Sequence, residues 1–179
     1  MSTEYQPEGR TSRKRYVQLM LLVWFAMIGV DFFLHGGVFA AEYVQESTFL
    51  LSDMEAFRRI PFGYLALLVT AGLLVWIIEQ ASARGWRRGL VIGLSLGAVM
   101  GFSSMLGLYS ISTVRPQLLV AWFVAQVIEI AIAGAIIGQG LSVPSLRGLT
   151  LAVVIGFILL FVGTIMMQSF GLVPSRTMG

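Results

Sequence analysis

The chain has 179 residues, a net charge of +3, 57% hydrophobic and 12% charged residues, and a mean hydropathy of +0.85. A soluble domain carries about 25% charged residues, so the composition excludes a water-soluble fold and leaves no room for a separate soluble domain; no nucleic-acid partner is expected. There is no cysteine and one histidine, which excludes disulfides, thiolate chemistry and multi-histidine metal centres, and no cofactor or metal is expected.

Uniformly apolar runs fall near 16–40, 61–80, 89–112, 117–139 and 148–170. Each reaches the length of about 20 residues that a helix needs to cross a bilayer, and none shows the ten-residue alternation of a spanning barrel. The expected fold is all-α: one integral membrane bundle of five transmembrane helices, 16–170, after a basic tail 1–15 and before a tail 171–179. The tail carries Arg10, Arg13, Lys14 and Arg15, the turn after the second span Arg84, Arg87 and Arg88, and the turn after the fourth Arg147. With the N-terminus cytoplasmic these eight lie inside, against Arg58, Arg59, Arg115 and Arg176 outside, following the positive-inside bias. The first run also has the layout of a signal peptide, with small residues near Val38-Phe39-Ala40; its length and polar end, at Asp31 and His35, favour a span. The acids of the outer loop 41–60, Glu42, Glu46, Asp53 and Glu55, read as a solvated face, as does Glu79.

Boundary residues mark the later helices. Ser52-Asp53-Met54-Glu55 reads as a capping box, with Pro61 kinking the helix that follows. Gly89, Gly93, Gly97 and Gly101 recur every four residues in the third span, a small-residue face that lets backbones approach closely in lipid; Ser104 extends it. Arg115-Pro116 opens the fourth span, where Ala121, Ala125, Ala133, Gly134 and Gly138 answer the glycine face, so the two spans are expected to form a tight antiparallel hairpin, the same motif also suiting a homodimer seam. Gly138, Gly140 and Pro144 are read as ending the fourth helix, and Ser145 as capping the fifth. The fifth span is expected to face lipid. Trp86 and Trp122 lie near helix ends as interfacial anchors.

Charged groups inside a bilayer are costly and face the bundle interior, which singles out a short polar set. Asp31 and His35 share a helix face at i,i+4. Glu129 lies in the fourth span, with Gln126 one turn nearer the outside, and Ala125 and Ala133 flank it as a helix-facing surface. Helical rise puts Asp31 and Glu129 roughly 10 Å apart along the membrane normal, so Asp31 is expected to meet His35, Ser103, Ser104 or Gln126, with Arg115 reaching down from the outer turn.

Asp31-Phe32-Phe33-Leu34-His35-Gly36, the glycine-ridged third span and the Glu-Ile-Ala-Ile-Ala-Gly run of the fourth resemble a group of small bacterial multi-pass membrane proteins with an Asp-x-x-x-His-Gly element ending their first helix. The resemblance covers about 16–140 and implies residence in a bacterial inner membrane; it implies no activity, and the fifth span is additional to it. Three functional readings stay open: a non-enzymatic bundle that binds or senses a small solute or assists a partner, either itself or another membrane protein; a proton- or cation-coupled transporter using Asp31, His35 and Glu129; and a membrane enzyme with Asp31–His35 as an acid–base pair.

Overall fold

The computed structural model describes residues 11–45 and 49–174, leaving aside the side chain of Asp53. Arg10, Glu46 and Arg176 lie outside the described residues. The chain is an all-α membrane bundle, and among the described residues five helices are long and apolar enough to cross a bilayer. Helix α1 (Arg13–Phe33) continues into a π-helical turn (Leu34–Val38) and a short α2 (Ala40–Tyr43). The other long helices are α3 (Asp53–Gln80), α4 (Trp86–Ile111), α5 (Pro116–Ser142) and α6 (Arg147–Ser169).

Local chemistry sets the starts. Ser12 caps α1 by accepting from the Arg15 N–H at 3.3 Å. Ser52 caps α3, accepting from the Glu55 N–H and donating its hydroxyl proton to the Glu55 carboxylate at 2.9 Å. Pro116 stands in the first turn of α5, where its missing N–H has no partner to lose. Gly85 precedes α4 at φ +90, a conformation that side chains disfavour. Pro61 sits inside an unbroken α3. Helix α5 runs past Gly138 and Gly140 to Ser142 and ends just before Pro144, because in lipid a buried glycine allows close approach without breaking the helix. Ser145 accepts from the Arg147 N–H at 3.4 Å, while the N-cap position of α6 falls on Leu146, whose side chain makes no capping bond.

Helices α4 and α5 form the expected antiparallel hairpin. A Cβ at Gly93 would lie 3.0 Å from the Ala131 Cα, and one at Gly138 would lie 2.9 Å from the Gly89 Cα. Gly97 faces the Val127 backbone and Gly101 the Phe123 ring. The glycine face is thus taken up inside the chain. Beyond Gly101 it stops, and Ser104 is exposed. Helix α6 packs on α1 through stacked Phe25–Phe157 and Phe32–Phe161 rings. Gly29 permits this, since a Cβ there would be 2.7 Å from the Phe157 ring. Most of α6 is exposed in the bundle, with only Val153 and Thr164 buried, as a lipid-facing helix requires.

The core lies toward the basic end. Leu19, Val23 and Met27 of α1, Ala71, Leu74, Val75 and Ile78 of α3, and Ile130, Ala133 and Ile137 of α5 pack there with almost no exposure. Arginines finish this end. Arg15 donates to the carbonyls of Gly140 (2.6 Å), Val143 and Pro144 (3.0 Å), and Arg84 donates to that of Leu141. The last carbonyls of a helix lack intrahelical partners and carry partial negative charge, so cations suit them. Glu79, expected to be solvated, accepts from the Thr11 N–H at 2.7 Å.

Candidate functional site

The same three helices that seal the basic end hold a cavity of about 650 Å³ toward the other end. Asp31, His35, Gln126 and Glu129 line it, joined by Tyr43, Thr70, Trp122 and Gln168. His35 Nε2 stands 3.6 Å from Asp31 Oδ1 and 3.8 Å from Glu129 Oε1. These separations are too long for hydrogen bonds but short for charges in a medium of low dielectric.

The convergence corrects the axial separation expected from helical rise. In a helix each Cα–Cβ bond tilts toward the N-terminus. Helices α1 and α5 run antiparallel, so Asp31 and His35 lean toward the basic end while Glu129 leans the opposite way. The two sets of side chains reach toward one another and close the gap. The π turn shapes the same region. Phe39 N–H donates to the Leu34 carbonyl at 2.7 Å, five residues back, which widens the helix around His35, Gly36 and Gly37. Such turns recur at functional sites. The Gly36 carbonyl accepts from Gln168 Nε2 at 2.8 Å, which ties α6 to the turn.

Behind His35 runs a polar chain. Trp122 Nε1–H donates to the Tyr43 hydroxyl at 2.5 Å, and that hydroxyl is 2.6 Å from His35 Nδ1. The direction of the second contact follows the tautomer: Tyr43 donates when Nδ1 is bare, and Nδ1–H donates to Tyr43 when the ring proton sits there. The His35 and Tyr43 rings also meet edge to face, 5.7 Å between centroids. Glu129 is only 6% exposed, and its Oε1 is buried without a hydrogen-bond partner. Ala125 and Ala133, buried at i±4, hold the carboxylate toward the cavity. One donor atom from each of Asp31, His35 and Glu129 lies within 4.8 Å of the others, a set able to hold a metal ion.

Two expected members stand elsewhere. Ser104 lines a separate small cavity beside Gly101, and Trp122 and Gln126 border both. Ser103 is likewise exposed. Arg115 does not reach Asp31. It pairs with the Glu42 carboxylate at 3.5 Å, donates to the Glu42 carbonyl at 2.7 Å and donates to Gln45 Oε1. It therefore pins α2, and with it Tyr43, to the start of α5, and Glu42 is an ion-pair partner rather than part of a solvated face. Tyr43, Gln168 and the polar role of Trp122 were not singled out from sequence; Trp122 read as an interfacial anchor. The only signals for these were a tryptophan within two turns of Glu129 and a glutamine ending an otherwise apolar run.

No protein-family model, curated protein or solved structure matches the chain.

Proposed function

We propose that this protein is a non-enzymatic binding bundle of a bacterial inner membrane, N-terminus cytoplasmic, that takes a small cationic solute into the cavity around Asp31, His35 and Glu129. The observation that carries this reading is the convergence of three ionisable groups directly above an apolar plug. Met27 and Ile130 form the floor of the cavity. Below them Leu19, Val23, Leu74, Val75, Ile78 and Ile137 are each at most 1% exposed. Water and ions have no polar partners there, so a solute entering the cavity stays on that side. Two carboxylates around a single imidazole favour positive charge. The orientation and bacterial residence draw support from the arginines gathered at the plugged end and from the resemblance in the first three-quarters of the chain.

The alternative, proton- or cation-coupled transport, is favoured by the ionisable groups themselves and needs the plug to open. The two readings separate in proteoliposomes carrying an internal pH- or cation-sensitive dye. The binding reading expects no flux above protein-free vesicles. It also expects a rise in melting temperature with at least one member of a panel of small amines and divalent cations. Saturating a site a hundredfold above its dissociation constant stabilises by about 2.7 kcal/mol. Flux in the wild type that Asp31→Asn and Glu129→Gln abolish while still folded would establish transport instead.

A further inference from the structure

We infer that Asp31, His35 and Glu129 form a three-ligand site for a divalent first-row transition ion such as Zn²⁺ or Mn²⁺, with a fourth position open to the cavity. This inference rests on the binding reading and names its solute class.

The donor set is one imidazole nitrogen and two carboxylate oxygens, which suits borderline to hard divalent ions and not the soft Cu(I) that prefers sulfur. A tetrahedral ion with bonds of about 2.0–2.2 Å spaces its ligand atoms about 3.3–3.6 Å apart. His35 Nε2 already lies 3.6 and 3.8 Å from the two carboxylate oxygens, and all three atoms lie within 4.8 Å of each other. Shifts of side-chain torsions of Asp31 and Glu129 close the remainder. Two carboxylates also neutralise a divalent charge, which matters where water is scarce.

Two further observations point to a ligand. Glu129 Oε1, on a side chain with 8% of its surface exposed, faces this cluster with no hydrogen-bond donor, whereas buried acceptors ordinarily have one. A metal ion would fill that valence. Behind the imidazole, Tyr43 stands 2.6 Å from Nδ1 and is itself held by Trp122. A metal-bound histidine donates its other N–H to such a partner, which fixes the tautomer and ring orientation. When Nε2 binds metal, the proton lies on Nδ1 and is donated to the Tyr43 oxygen. Arg115, through Glu42 and Gln45, holds that tyrosine's helix in place. Gln126 and Thr70 line the same cavity, from which an incoming ligand or water would complete the coordination.

The test is calorimetric titration of chelator-treated protein in detergent with Zn²⁺ alone, beside the absorption spectrum of the Co²⁺-loaded protein. The expected result is one ion per chain and visible Co²⁺ bands of four- or five-coordinate geometry. Affinity should fall at least a hundredfold in His35→Ala and Glu129→Gln, and about 10–100-fold in Tyr43→Phe, which removes only a supporting hydrogen bond. Glu79→Gln, at the opposite end of the bundle, should bind as wild type does. If Glu129→Gln or His35→Ala fails to fold, Tyr43→Phe and the Co²⁺ spectrum carry the test. Absence of binding to folded wild type overturns the inference, as does binding that these substitutions leave unchanged. Stabilisation by small amines through Glu129 without any Zn²⁺ binding would overturn the metal site and leave the binding reading standing; flux in proteoliposomes would overturn that reading separately.

Discussion

Gly93→Ala tests the packing that carries α5, and hence Glu129, into place. The new Cβ would sit against the Ile130 carbonyl, 3.0 Å from the Ala131 Cα and 3.1 Å from the Ile130 carbonyl carbon. All are backbone atoms, so no rotamer change relieves the clash. Carbon pairs rest at about 3.5–4.0 Å, so the helices must move apart, and a gap of roughly 0.5–1 Å opened along the rest of the seam forfeits a quarter to a half of each contact there. Overpacking of this kind costs about 1–3 kcal/mol, and no hydrophobic gain offsets it between helices in lipid. Alanine returns up to about 1 kcal/mol of helix propensity. The net expectation is a loss of about 0–2 kcal/mol by these terms. Gly156→Ala in α6 is the matched control: its Cβ would meet nothing within 4 Å, so only the propensity gain remains. Equilibrium unfolding in mixed detergent micelles, followed by circular dichroism, measures both. Equal midpoints for the two variants would refute the close-contact argument.

Three other outcomes follow from the same geometry. Glu129→Gln should melt no lower than wild type, since it replaces a buried carboxyl whose Oε1 lacks a hydrogen-bond partner by a neutral group of the same shape; a clear fall in melting temperature would make Glu129 interhelical glue instead. Arg115→Ala strands Glu42 and frees α2, at a cost of about 1–2 kcal/mol once partial exposure is allowed for. Hydrogen exchange should speed up across 39–45 first, and unchanged exchange there would deny Arg115 that anchoring role. Gly29→Ala drives a methyl to 2.7 Å from the Phe157 ring, which is stacked on Phe25, and should cost about 1–3 kcal/mol by overpacking while loosening α6; protease access to 143–147 reports it, and wild-type resistance would contradict the tight α1–α6 contact.

The spans were legible because bilayer thickness leaves one solution for long apolar runs. The α4–α5 hairpin was legible because a four-residue glycine repeat has a steric meaning in lipid. Of the polar set, Asp31, His35, Gln126 and Glu129 share one cavity while Ser104 and Arg115 stand elsewhere, and the set's geometry was misjudged. Rise per residue places Cα atoms, while the antiparallel lean of Asp31 and Glu129 side chains decides what touches. Arg115 was misassigned because α2, four residues long, brings Glu42 and Gln45 beneath it, and so short a helix leaves little periodicity to read. The π turn was hinted at only by Gly36-Gly37, and the Gly29–Phe157 contact by nothing local, since a lone glycine in an apolar run has no period. Gly138 and Gly140 misled as stop signals because the rule that glycine ends helices comes from water, where an exposed backbone has an alternative partner.

The central claim is that Asp31 and Glu129 meet at His35. Since the chain has a single histidine, ¹⁵N-histidine labelling in a lipid bilayer reports on that imidazole alone. Dipolar dephasing by ¹³C-carboxyl-labelled aspartate and glutamate should show His35 in short-range contact with both carboxyl groups, the glutamate contact disappearing in Glu129→Ala. Dephasing by Asp31 alone, as a separation of roughly 10 Å from helical rise would give, would contradict the convergence and every functional reading built on it.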